Sequence, residues 1–228
     1  MLKKYTELFR GQNLLDEAIS MILQMLDIDS KMFQIAQKSL RESDTADMQD
    51  DIRAMDRQVN KYHREVRRKV LTHLTVTGTT NLVPGLVLAS IVVDVERIGD
   101  YAKNIVDLAR YHPERLHGQE YEIAMKKIEE DVALNVDRVV LALSKQDILV
   151  GRKVMDIEQR TGKLCDGVLE ALLTRPSEKL PGQDIACIAL YIRFLKRTNA
   201  HLTNVASAVV NPFPRIGFSE KGRHKHKA

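Results

Sequence analysis

Of the 228 residues, 44% are hydrophobic, 29% charged and 5% aromatic, which supplies one large or two small packed units and excludes a chain disordered throughout. Lys and Arg number 35 against 31 Asp and Glu, a formal charge of +4, and much of that excess lies in the final SEKGRHKHKA. The longest apolar run, 82–93, is shorter than the ~18–20 residues that cross a bilayer and carries Pro84 and Gly85. The opening MLKKYTELFRGQ has no apolar stretch of the kind a secretory signal needs, so the expectation is a soluble, cytoplasmic protein.

Apolar residues recur at helical spacing nearly everywhere and no alternating stretch argues a strand, so the sequence predicts an all-α fold. A first helix over 12–41 buries a stripe of Leu15, Ala18, Ile19, Ile22, Leu23, Leu26, Met32, Phe33, Ala36 and Leu40. Ser43 and Asp44 offer a cap for a second helix over 45–75, which buries Ile52, Met55, Val59, Tyr62, Val66, Val70, Leu71 and Leu74 and stops at TVTGTTNLVPG. A third helix, 84–111, ends at His112-Pro113 and buries Leu88, Ile91, Val92, Val95, Ile98, Ala102, Ile105 and Ala109.

Three more helices follow: 119–144, with Ile123, Ile128, Val132, Val136, Val139 and Leu143 inward; 148–174, with Val154, Met155, Cys165, Val168 and Leu172 inward; and 182–210. Cys165 and Cys187 follow no metal-ligand spacing and sit on apolar faces, so they read as reduced core residues. Long helices joined by short turns pack antiparallel, which gives two tandem three-helix bundles, 1–113 and 114–211, and a basic C-terminal tail, 212–228.

The halves repeat at an offset of 100 residues. Leu88 pairs with Ile188, Ala89 with Ala189, Val92 with Ile192, Val95 with Leu195, Arg97 with Arg197, Asn104 with Asn204 and Ile105 with Val205. Met55-Asp56 pairs likewise with Met155-Asp156. Recurrence of Arg and Asn at polar positions argues an internal duplication.

In the third helix, Glu96 and Asp100 stand four apart and share one face off the apolar stripe. Such a pair is either offset by Arg97 and Lys103 or used to hold a cation, and most such pairs on exposed helices are simply solvated. Asp56 and Asn60 repeat the spacing on the neighbouring helix, so the four together make an oxygen-donor site. Without His or Cys it suits Mg²⁺, Mn²⁺, Ca²⁺ or ferric iron better than a thiolate-type zinc site.

The segment VDVERIGDYAKNIVDLA resembles the signature of the PhoU family of phosphate-uptake regulators. That pattern, E(D)xxxD with Arg, an apolar and a small residue between the acids and an Asn-apolar pair after them, is met by Glu96, Arg97, Ile98, Gly99, Asp100, Asn104 and Ile105. The resemblance extends to the duplicated three-helix layout and to Asp56 and Asn60, and so to nearly the whole chain. It implies a divalent or trivalent metal ion (Mg, Mn, Fe or Zn) held by Glu96, Asp100, Asp56 and Asn60. It implies too a regulator that contacts the ATPase of a Pst-type phosphate transporter and a sensor histidine kinase, and meets the membrane through those partners; the large faces of long exposed bundles lead to the expectation of a homodimer or higher oligomer. The alternatives are an accessory protein of a Pit-type or sodium-coupled phosphate transporter and, from another class, a carboxylate-bridged metal oxidoreductase.

The second half keeps Arg197 and Asn204 but has Lys196 and Ala200 in place of the acids, and Arg160 in place of Asn60, which predicts a cationic face without metal. Arg57, Lys61, Arg64, Arg67, Arg68 and Lys69 make the second helix basic, a face that is either solvated or meets acidic loops or anionic lipid. The tail from Gly222 to Lys227 reads as a disordered extension. The sequence has no P-loop and no defensible Ser/His/Asp set, and its Glu114-Arg115-Leu116-His117 lies between predicted helices rather than inside a helical core, so it reads as a non-enzyme. It has no helix-turn-helix signal, so direct nucleic-acid binding is not expected.

Overall fold

A computed structural model describes residues 2–42, 49–112, 114–175 and 178–220. Its described residues form six α-helices and no strand: α1 (Leu2–Arg41), α2 (Gln49–Thr77), α3 (Leu82–Tyr111), α4 (Glu122–Lys145), α5 (Ile148–Thr174) and α6 (Gly182–Val210). Two 3₁₀ turns, Gln119–Tyr121 and Phe213–Arg215, precede α4 and follow α6. No helix is long and apolar enough to cross a membrane among the described residues. The first helix starts ten residues before its predicted beginning (12 against 2), and the Ser43-Asp44 cap lies outside the described residues.

Helices α1, α2 and α3 pack on one another as one bundle, and α4, α5 and α6 as a second. The first core is built from the expected stripes: Ile22, Leu26, Met32, Phe33 and Leu40 of α1 face Val59 and Val66 of α2 and Ile91, Val95, Ile98 and Ile105 of α3, all buried. Each such side chain contributes about 1.5–3 kcal/mol on leaving water. Leu71 and Ile123 are exceptions to the predicted core, 68% and 85% exposed. Leu71 follows Val70, the last buried aliphatic of α2, by one residue, which rotates it about 100° off the buried stripe; Ile123 sits in the first turn of α4, ahead of its first core residue, Met125.

Turn chemistry sets the boundaries. Gly78 (φ 63°) and Asn81 (φ 62°) adopt the left-handed conformation that reverses the chain between α2 and α3. The Asp147 carboxylate caps α5, accepting from the N–H groups of Leu149 (2.9 Å) and Val150 (3.0 Å).

The duplication is visible in burial, with a register that differs between helices. In α3 and α6 the offset is 100 residues: Leu88, Val92, Val95 and Ile105 are matched by Ile188, Ile192, Leu195 and Val205, all buried. In α2 and α5 it is 102 (52 to 154), with Ile52, Val59, Val66 and Val70 matched by Val154, Thr161, Val168 and Leu172. In α1 and α4 it is 103 (22 to 125), with Ile22, Met25, Leu26, Met32 and Phe33 matched by Met125, Ile128, Glu129, Asn135 and Val136. The counterpart of Asp56 is therefore Glu158 rather than Asp156, and that of Asn60 is Gly162 rather than Arg160.

The bundles meet along α3 and α6. Asp94 accepts from Asn204 (2.8 Å) and pairs with His201 Nδ1 (2.8 Å), Tyr101 stacks on His201, and Arg197 Nε donates to the Tyr101 hydroxyl (3.2 Å). At one end Arg41 of α1 binds Glu129 (2.9 Å) and Glu122 (2.5 Å) near α4 and the Leu116 carbonyl, while Tyr191 of α6 donates to Glu129 (2.9 Å). At the other end, part of the expected tail folds back: Asn211 donates to the Arg215 and Phe218 carbonyls, and Arg152 grips Glu220 with two hydrogen bonds. The tail residues 221–228 lie outside the described residues. Cys165 and Cys187 are buried free thiols, each pushed up to about 12 by burial.

Candidate metal site on the first bundle

Asp56, Glu96 and Asp100 come together between α2 and α3, each partly buried and each at a helix position off the core stripe. A fourth carboxylate joins them from α1. Asp29 is fully buried, in register with Met25, Met32 and Ala36, and neither of its oxygens has a hydrogen-bond partner. Its carboxyl is raised well above the usual carboxylate range by burial first, then by Glu96, Asp100 and Asp56.

Gly99 makes room for that carboxylate: a Cβ on residue 99 would stand 2.7 Å from Asp29 Oδ1. The small residue between the two acids of α3 is thus explained by what approaches it from α1.

Cationic side chains hold part of this charge. Lys103 bridges Asp56 on α2 (2.8 Å) and Asp100 on its own helix (2.9 Å). Burial works against the Lys103 ammonium, but these bonds raise its proton affinity above the ordinary lysine value. Arg97 reaches Asp100 (3.2 Å) and Glu96 (3.7 Å). Glu96 is nonetheless raised, by burial first and then by Asp100, with Arg97 and Lys103 opposing. Asp100 is thus offset by Arg97 and Lys103, whereas the Asp29 oxygens have no hydrogen-bond partner among the described residues.

All-oxygen chemistry and two orphaned buried carboxylate oxygens fit a hard cation. Among the described residues no three His, Cys, Asp or Glu side chains already stand as a ligand set, and Lys103 bridges two of the acids.

Residues 22–109, which hold all four carboxylates, match the family model described as the PhoU domain. This stretch of the chain thus resembles a PhoU domain. A Synechocystis sp. protein described as a phosphate-specific transport system accessory protein PhoU homolog is 27% identical over 164 residues, covering 69% of this chain and 71% of that protein. The crystal structure of PhoU from Pseudomonas aeruginosa superposes with a TM-score of 0.78 at 21% identity, over 87% of this chain and 96% of that one. That of the phosphate transport system regulatory protein PhoU from Streptococcus pneumoniae gives 0.75 at 13% identity, over 88% and 95%. The tandem-bundle PhoU fold therefore extends through the second half, beyond the matched domain.

Asn60, the fourth predicted ligand, is half-buried one turn along α2 from Asp56. Asp29 was the residue that helix-by-helix pairing missed. Its signal is an acid standing inside the apolar stripe of α1, where every neighbour in register is a hydrophobe.

The second half lacks the arrangement. The counterpart of Asp29 is Val132 (29 to 132), and those of Glu96 and Asp100 are Lys196 and Ala200. Asn135 fills the equivalent layer, donating to Asn199 (2.7 Å). Lys196 is paired with Asp166 and faces Glu158, whereas Arg160 lines a groove of about 360 Å³ with Arg138, Lys153 and Asp156. The predicted proximity of Arg160 to Lys196 is thus replaced by two separate cationic places, because the α5 register is shifted by two residues.

Proposed function

We propose that this protein is a regulatory accessory component of a phosphate transport system, acting by protein–protein contact rather than catalysis. The observation that carries the reading is the four-carboxylate cluster built into a PhoU-like stretch, on a fold otherwise closed by packing and ion pairs. Asp29, Asp56, Glu96 and Asp100 would hold a Mg, Mn, Fe or Zn ion, with Asn60 at its edge, and the ion would supply fixed positive charge that draws α1, α2 and α3 together. The partners are the ATPase of a Pst-type transporter and a sensor histidine kinase, met by a cytoplasmic homodimer. The cluster opposes the oxidoreductase reading: it contains no histidine and, Asp29 apart, opens to solvent.

Pull-down of a Pst-type ATPase subunit by the full chain, with and without Mn²⁺, tests this. The expected result is metal-dependent capture that falls roughly tenfold or more for Glu96→Ala/Asp100→Ala. Capture of a Pit-type transporter instead would move the assignment to that system. Capture of neither transporter and no sensor kinase would overturn it.

A further inference from the structure

Along α2, Arg53, Arg57, Lys61, Arg64 and Arg68 recur every three or four residues, so they share one helix face, and all five are exposed. They span about 22 Å at 1.5 Å per residue. Among the described residues only Arg68 of the five has an acidic partner, Glu65 at 2.6 Å. The same face continues through Leu71, 68% exposed, toward the α2–α3 turn, where Val76 and the α3 residues Val83 and Leu86 are exposed as well.

The local field is strongly positive. His63, half-buried beside this face, is held below the ordinary imidazole range by burial and then by Arg67, Arg64 and Arg97. With a formal charge of only +4 for the whole chain, the stripe is a concentration of charge, not a sample of general basicity.

A row of cations ending in exposed aliphatics on one side of a helix is the pattern of an interfacial surface. Cations meet lipid phosphates while aliphatic side chains enter the headgroup–acyl boundary. An acidic protein loop would use the cations alone, whereas a lipid surface uses both the cations and the exposed aliphatics, which favours the lipid surface.

We propose that the outer face of α2, together with the aliphatic end at the α2–α3 turn, docks directly on an anionic phospholipid bilayer. This goes beyond membrane association through a transporter, because the contact needs no partner protein.

Co-sedimentation of the full chain with vesicles of phosphatidylcholine alone, or of phosphatidylcholine mixed with phosphatidylglycerol, tests it. The wild type is expected to bind the anionic vesicles only, and less as salt rises. Arg57→Glu/Lys61→Glu/Arg64→Glu alters exposed positions and leaves helicity and melting unchanged; it is expected to lower partitioning on the order of a hundredfold. Leu71→Ser keeps every charge and is expected to weaken binding several-fold. Equal binding of the wild type and the charge-reversed variant, equal binding to neutral vesicles, or none to anionic ones would overturn the proposal. Retention on an acidic protein without vesicle binding would overturn it in favour of a protein partner.

Discussion

Gly99 has no side chain because Asp29 occupies the space one would need. Adding a methyl group there puts Cβ 2.7 Å from a carboxylate oxygen that belongs to a buried residue, so the carboxylate must move. Gly99→Ala is expected to destabilise the fold by about 1–3 kcal/mol in urea titration, despite the helix preference for alanine. In Gly99→Ala/Asp29→Ala the clash is gone, and the loss is expected to shrink below the sum of the single effects. Additive losses would mean that the two residues do not meet.

At the scale of helices, the carboxylate cluster is a joint between α2 and α3 that Lys103 keeps closed. Lys103→Met leaves Asp56 and Asp100 without their shared counter-ion, so thermal unfolding should show a loss of about 1 kcal/mol or less for a partly exposed pair. Mn²⁺ affinity measured by calorimetry should rise in the same variant, since the competing ammonium is removed. A fall would mean that Lys103 supports the ion rather than competes with it. Most of this level was legible from sequence: the limits of α5 and α6, the core stripes of α1 and α3, and the acids at 56, 96 and 100 all follow from period and punctuation. Asp29 escaped because pairing acids at four-residue spacing looks along one helix, whereas this site is assembled across three. The register shift in α5 escaped because a constant offset ignores the helices' separate phases, and burial is what sets each phase.

The whole molecule is two bundles that share one apolar core and are joined further by a few charged contacts that no single-helix pattern announces. Arg41 satisfies Glu129, whose carboxyl burial pushes up despite Arg41 and Tyr191. Arg41→Met leaves that acid buried without its cation and is expected to cost about 3–5 kcal/mol in denaturant unfolding. His112, after α3, pairs with Asp184 in the first turn of α6 at 2.8 Å. Burial lowers His112, but the Asp184 bond and the Glu114 carbonyl outweigh it, and the net shift is upward. A histidine raised in the folded state lends stability that is fully present below its unfolded value of ~6.5 and is lost as pH rises through the folded value. Stability measured from pH 6 upward should therefore decline in the wild type by a component that His112→Gln lacks; identical profiles would exclude it.

Metal content is the most direct test of the central claim, that α1, α2 and α3 jointly hold a cation. Full-length protein equilibrated with Mn²⁺ and desalted would be assayed by inductively coupled plasma mass spectrometry beside Asp29→Asn and Glu96→Ala/Asp100→Ala, each with helicity verified. Bound metal in the wild type that is lost from both variants is the predicted result. Metal retained by both variants, or absent from all three proteins, would contradict it and leave the carboxylates as an ion-paired joint between helices.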